Sequence, residues 1–291
     1  MSTRSWRRRA ITMRDRQGHY STVRQGGALA LALLAPALVA AGPELRLTGR
    51  AEQGGLMFGT LPPGASQLTL DGVPVRTTGD GRFIIGFSRD APAAARLAWR
   101  NDQGRARHQP VTVAARQWLT QSLPTLPPRP VPDAEFAARR PGELARLAAA
   151  RLGTSDLTGW TQAFIRPAAG PVTGVFGSQR ILSGEPQAPH SGLDIGAVEG
   201  APVVAPAAGA VRLAEGPFTL EGNVVLLDHG FGLVSAFLHL SEIKVAAGQR
   251  LARGDLIGLV GATGRATAAH LHWGLTWVKT RVDPAQLVPD R

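Results

Sequence analysis

Most apolar runs in this chain are short and closed by glycine, proline or aspartate. That punctuation works against long helices and leaves short strands as the main building unit. Leu45-Arg46-Leu47-Thr48, Leu56-Met57-Phe58-Gly59, Leu68-Thr69-Leu70, Val73-Pro74-Val75 and Phe83-Ile84-Ile85 are separated by Pro62-Pro63-Gly64, Asp71-Gly72 and Gly79-Asp80-Gly81. Asp-Gly supplies the left-handed φ that tight hairpins need. Leu97-Ala98-Trp99 and Val111-Thr112-Val113 complete an expected small β-sandwich of about seven strands over residues 42–116. It holds no titratable cluster and reads as a binding or covering module.

Residues 117–160 differ. Pro124 to Pro132 is a stiff extended linker, because each proline fixes φ and biases its predecessor toward extended geometry. A helix is predicted to follow, capped by Asp133, with Leu144, Leu147 and Leu152 on one stripe, Gly153 as its stop and Pro141 marking a break or a second start. The basic residues of this segment read as a solvated face. From 161 to 291 the pattern is again β-rich, with runs at 201–205, 209–214, 223–228, 233–239, 256–260 and 271–275 joined by glycine-containing turns. The expected fold is mainly β, with a C-terminal antiparallel sheet or sandwich preceded by the small sandwich and the helical linker.

The N-terminus reads as a secretory signal over residues 1–41. A basic stretch precedes the apolar run Ala28 to Val39, which ends in the small residues Ala40-Ala41-Gly42. The run is short for a bilayer crossing, so no stable membrane span is expected after cleavage. The formal charge of +11 does not argue for nucleic acid, since seven arginines against Asp15 fall within these first 41 residues and aromatic content is only 5%. What remains of the excess suits an anionic polymer equally well. The chain has no cysteine, which fits an exported protein that does not rely on disulfides.

The chemistry concentrates in the last segment, where 5 of the 7 histidines lie. On a strand, His270 and His272 point the same way while Leu271 points into the opposite layer. His190 and Asp194, with Ser191-Gly192 between them, are spaced for a short turn that folds both side chains toward one ion. Imidazole nitrogen with carboxylate oxygen is zinc chemistry, and three protein ligands with a fourth position left over mark a catalytic site. Spacing alone does not decide between His270 and His272 as a ligand. His229, in Leu227-Asp228-His229-Gly230, reads as a turn residue ending an apolar strand.

With these motifs in order, residues 167–287 resemble the lysostaphin/LytM-type zinc metallopeptidases that cut peptidoglycan peptides. Phe176-Gly177-Ser178-Gln179-Arg180 is similar to the family's entry strand, and His190-Ser191-Gly192-Leu193-Asp194-Ile195 to its first metal motif. Phe237-Leu238-His239-Leu240-Ser241 and the stretch from Gly261 to Trp273 resemble the central and closing histidine motifs. The region before them is similar to exported proteobacterial members. The resemblance implies that His190, Asp194 and His272 bind Zn2+, and that His239 and His270 flank the remaining coordination position as catalytic groups.

It further implies an endopeptidase of the periplasm or cell envelope, hydrolysing peptide cross-links of peptidoglycan, with access modulated by the N-terminal domain. A non-catalytic wall-binding activator of other hydrolases is the alternative. Two departures stand out. Phe237 occupies a position where many relatives have tyrosine, which removes a hydroxyl that could assist substrate binding. Ala268-Ala269 replaces a frequent Gly-Pro ahead of the histidine pair.

Overall fold

The computed structural model describes residues 45–124, 133–153 and 155–289. The secretory signal and nearly all of the proline-rich linker read from the sequence lie outside these residues. Seven strands come first: β1 (Arg46–Gly49), β2 (Leu56–Thr60), β3 (Ser66–Leu70), β4 (Val73–Pro74), β5 (Arg82–Gly86), β6 (Ala94–Arg100) and β7 (Ala106–Thr112). They form two sheets, ordered β1-β2-β5 and β4-β3-β6-β7. Alternation sets the faces: on β6, Leu97 and Trp99 are buried while Arg96 and Arg100 are exposed.

Phe83, Ile85, Leu68, Leu97 and Val111 fill the space between these sheets. Leu56 and Ile84 face the other way and join the core of the C-terminal strands. Phe58, beside them, stacks on Trp160 with ring centroids 6.2 Å apart. The β1-β2-β5 sheet is therefore covered on both sides, which accounts for the unbroken apolar run Phe83-Ile84-Ile85.

Strand β8 (Thr120–Leu123) precedes the helix α1 (Ala134–Arg151), whose first turn is capped by Asp133 accepting a 2.7 Å hydrogen bond from the Phe136 amide. The helix runs through Pro141 without the expected break. An interior proline costs about 3 kcal/mol, and contacts on both sides of it offset that loss. Arg140 makes a two-pronged pair with Glu221 at 2.7 and 2.8 Å, and Glu143 accepts from the backbone and hydroxyl of Thr219 at 2.9 and 2.7 Å.

These polar anchors also rotate the helix away from the expected leucine stripe. Leu147 is 2% exposed, whereas Leu144 is 50% and Leu152 62% exposed. The inward face is thus Arg140, Glu143 and Leu147, so Arg140 is no solvated charge.

The C-terminal strands are β9 (Val172–Gly174), β10 (Gln179–Leu182), β11 (Glu185–Pro186), β12 (Gly192–Gly196), β13 (Pro202–Val204), β14 (Gly209–Phe218), β15 (Gly222–Gly230), β16 (Leu233–Leu240), β17 (Glu242–Ile243), β18 (Arg250–Leu251), β19 (Leu256–Leu259), β20 (His270–Trp277) and β21 (Thr280–Val282). Eight of them make the principal sheet, ordered β18-β14-β15-β16-β20-β12-β9 with β21 also paired to β20. Phe176-Gly177 is the turn between β9 and β10, because Gly177 takes φ +78, outside strand geometry; the family resemblance had implied a strand there. The described residues belong to one compact unit, Gly42–Arg291, and no helix among them is long and apolar enough to cross a membrane.

Register divides the principal sheet into two faces. Leu193↔Trp273, Ile195↔Leu271 and Phe237↔Trp273 are directly opposed and share the back face, which forms the main core with Val225 and Leu227. Asp194↔His272 and Leu238↔His272 share the front face. There α1 covers Val224, Leu226, Val234 and Ala236 through Leu147. The histidine-bearing end of the same face lies beyond it.

Candidate metal centre

His270 and His272 stand at the start of β20 and, one residue apart, project to the front as alternation predicts. Asp194 sits directly across from His272 on β12. The expected short turn from His190 to Asp194 is not formed: Asp194 is within a strand, and His190 lies just before it, tied to another loop. Its amide donates to Ser178 O at 2.8 Å and its carbonyl accepts from the Gly177 amide at 2.9 Å. Those bonds bend the chain ahead of β12, so His190 can meet a residue that extended geometry would leave about 13 Å away.

Three donor atoms then converge. His190 Nε2 is 3.0 Å from Asp194 Oδ1 and 3.0 Å from His272 Nδ1, and His272 Nδ1 is 2.8 Å from Asp194 Oδ1. His190 is oriented from behind by a 3.0 Å hydrogen bond from its Nδ1 to the Val175 carbonyl, which leaves Nε2 facing the cluster. Gly192 clears the space: a Cβ there would lie 2.7 Å from His272 Nε2 and 2.5 Å from the Trp273 carbonyl.

The electrostatics favour a cation. Burial by itself would raise the Asp194 pKa, but hydrogen bonds from His190 and His272 outweigh it and hold the carboxyl well below the usual range. Burial by itself would lower the His190 pKa, and the Asp194 hydrogen bond and charge turn this into a net rise. His272 is lowered, with burial the main cause. The carboxylate thus draws positive charge, as a proton or as a metal ion. Ligand atoms on a tetrahedral ion with bonds of about 2.0 Å are roughly 3.3 Å apart. The observed triangle, 2.8 to 3.0 Å on a side, is close to that, and two imidazoles with one carboxylate are a fitting donor set.

The other two histidines line the same end of the front face. His270 Nε2 is 3.8 Å from Asp194 Oδ1, and its Nδ1 donates to Ala268 O at 2.9 Å. His239 reaches the site by an irregularity that the sequence does not announce. Strict alternation would send it to the back, since its neighbour Leu238 already faces front opposite His272. Val225 pairs with Phe237 and Asn223 with Leu240, so Val224 opposes both Leu238 and His239 in a β-bulge.

His239 takes φ +65 and its ring comes within 4.9 Å of His270 and 6.3 Å of His272, centroid to centroid. Its Nδ1 donates to Thr263 O at 2.8 Å, which leaves Nε2 as an acceptor. Burial pushes its pKa down to about 4, so the ring is neutral at pH 7.

His229 is not a turn residue in the ordinary sense. It is fully buried, its Nδ1 donates to Ala208 O at 2.9 Å while its Nε2 meets Ser235 Oγ at 2.8 Å, and burial lowers its pKa to about 4. Ser235 Oγ in turn accepts from Trp273 Nε1 at 3.1 Å, a link behind β20 that sequence spacing could not show. Phe237 belongs to the back face and is 0% exposed. A tyrosine hydroxyl attached there would start in the core, so its lack does not remove a group from the front face.

A sheet face holding two histidines and an aspartate in contact, with two further imidazoles beside them, has the donor set that a metal-dependent hydrolase needs. Residues 188–284 match the model described as Peptidase family M23. A crystal structure of a peptidase M23 from Pseudomonas aeruginosa is 31% identical, with 82% of this chain and 95% of that chain covered and a TM-score of 0.64. The chain belongs to peptidase family M23.

Among curated relatives, the peptidoglycan DD-endopeptidase ShyA of Vibrio cholerae is 43% identical over 89 residues, covering 30% of this chain and 20% of ShyA. The cell division protein DipM of Caulobacter vibrioides is 36% identical over 106 residues, covering 34% of this chain and 17% of DipM. The chain therefore spans a fifth or less of the length of these two relatives.

Proposed function

We propose that this protein is an exported zinc-dependent endopeptidase that hydrolyses peptide cross-links of bacterial peptidoglycan. The observation that carries the reading is the convergence of His190 Nε2, Asp194 Oδ1 and His272 Nδ1 within a few ångströms on a sheet face otherwise shielded by α1. The likeness to ShyA, a peptidoglycan DD-endopeptidase by name, supports the substrate class. His190, Asp194 and His272 would hold the ion. When bound, zinc supplies Lewis acidity, polarising a scissile carbonyl and bringing the pKa of water near neutrality.

The remaining work falls to His239 and His270. Each has Nδ1 committed to a backbone carbonyl, so each presents Nε2 in a fixed tautomer as a proton acceptor. Such an acceptor can take the proton of the attacking water and return it to the departing amine. Once protonated, the same N–H can hydrogen-bond the oxyanion that develops on the carbonyl. Two imidazoles on one side of the cluster allow these duties to be divided. Burial keeps His239 neutral at working pH, which suits a group that must begin as an acceptor.

Digestion of purified peptidoglycan, followed by mass spectrometry of the released muropeptides, tests the proposal. Metal-depleted protein is expected to release no new amino termini and to recover on addition of zinc. Full activity without metal, or in His190→Ala, would overturn it. Wall binding without any bond cleavage in the zinc-loaded protein would point instead to a non-catalytic activator.

A further inference from the structure

The loop that aims His190 is gripped by residues from far earlier in the chain. Three of its backbone groups serve His190: Val175 O accepts from the ring, and Gly177 N and Ser178 O bond its main chain. Nothing local holds Gly177 itself beyond these bonds and the turn. Its carbonyl instead accepts a 2.9 Å hydrogen bond from Arg89 Nε, 88 residues upstream in the connection between β5 and β6. The same guanidinium reaches Gln179 Oε1 at 3.5 Å.

Trp118 closes the grip. Its ring occupies the space beside Gly177, where a Cβ would meet ring atom Cε3 at 2.2 Å, and it meets Phe176 edge to face at 5.8 Å. Phe176 is 3% exposed and packs toward Gly54 of the N-terminal region, where a Cβ would lie 2.8 Å from its ring. Trp118 is itself fixed by Arg89 and Arg116, whose guanidinium carbons stand 5.3 and 4.6 Å from the ring centroid. One residue further on, Leu119 O accepts from the Gln179 amide at 2.9 Å, and β8 pairs in parallel with β10.

We infer that Arg89 and Trp118 are positioning residues for the metal ligand His190, so that the N-terminal strands form part of the metal-binding apparatus. The inference rests on the proposed metal centre but goes beyond its ligands. Groups that orient a ligand from outside the coordination sphere change metal affinity by about 10- to 100-fold when lost. Arg89 and Trp118 act one step further out, through the loop. A weakening of about tenfold is the scale to expect.

The test uses the full chain and the variants Arg89→Met, Arg89→Lys, Trp118→Ala and Trp118→Phe. Zinc affinity is measured by competition with a chromophoric chelator, and amide hydrogen exchange is followed in the metal-free proteins. R89M and W118A are expected to bind zinc about tenfold more weakly and to exchange the Gly177 and His190 amides faster, with Leu227 unchanged. R89K and W118F keep part of the grip and should fall between, and they decide the matter if the harsher variants do not fold.

Unchanged zinc affinity alongside unchanged exchange at Gly177 and His190 would overturn the inference, even if thermal stability fell. So would faster exchange spread evenly to Leu227, which marks a merely structural role. If the wild-type protein bound no zinc, the metal reading would fail separately, and the exchange rates would still decide whether Arg89 and Trp118 hold His190.

Discussion

The two faces of the principal sheet are built from the same strands and do opposite work. Behind β20, Leu271 and Trp273 are both 0% exposed in a continuous apolar core. In front, His272 stands between them in sequence and meets Asp194 and His190. Burying imidazole without partners is costly, whereas burying leucine and tryptophan is favourable by about 25 cal/mol per Å² of apolar surface. The His272 imidazole is therefore held in place by its two neighbours, which anchor the strand from the far side. Rigidity comes from one face and reactivity from the other, one residue apart.

The contrast can be broken most severely from the front. His272→Ala should lower peptidoglycan cleavage by on the order of 10³-fold or more, because the ion it is proposed to help hold would bring the pKa of water down from 15.7 to about 7. The melting temperature of the metal-free protein should move little, and a fall matching that of a core mutant would contradict the division of labour. Phe237→Ala attacks the back face and should cost about 3–5 kcal/mol of stability, read from urea unfolding. Activity per folded molecule should persist.

A milder test concerns the part of the front face that α1 covers. Leu147→Ala should cost about 2–4 kcal/mol, whereas Leu144→Ala, on the same helix but half exposed, should stay within about 0.5 kcal/mol. Equal losses at the two positions would mean that the helix is turned differently from the orientation described.

A further expected effect, smaller than those of the front- and back-face substitutions, is a pH slope from His229. Its folded pKa of about 4 lies below the unfolded value near 6.5. The unfolded chain therefore binds more protons in this window, and stability falls as pH is lowered from about 6.5 toward 4. The loss is on the order of 2–3 kcal/mol, and His239 adds to it in the same direction. Urea midpoints at pH 7 and pH 5 should differ less in His229→Gln than in the wild type. An equal slope in both proteins would show that His229 titrates alike in the folded and unfolded chain.

Much of this arrangement was legible in the sequence, for physical reasons that also explain the misses. The period of two along a strand is a local property, so His270 and His272 on one side, and the turns at Asp71-Gly72 and Gly79-Asp80-Gly81, could be read directly. The helix stripe could not, because Leu144 and Leu147 carry the same apolar signal. Distant polar partners, Glu221 and Thr219, select between them. Likewise nothing near Arg89 or Trp118 in sequence announces a loop more than fifty residues downstream of either.

His239 is the sharpest case. The extra residue opposite Val224 leaves the strand one residue longer than a regular ladder requires, and that surplus brings the imidazole to the front. A side chain other than glycine or asparagine at positive φ is disfavoured by about 1–2 kcal/mol, so this part of the sheet is locally frustrated: its own backbone would prefer to regularise. The irregularity is retained by the bonds from His239 N to Glu221 O and from Nδ1 to Thr263 O, with the Glu221 carboxylate clasped by Arg140 of α1. Without the bulge, strict alternation would place His239 one position past the front-facing Leu238 and turn its ring toward the core. Helix α1, through a glutamate that belongs to neither the cluster nor the helix, stands guard over a defect on which the proposed chemistry depends.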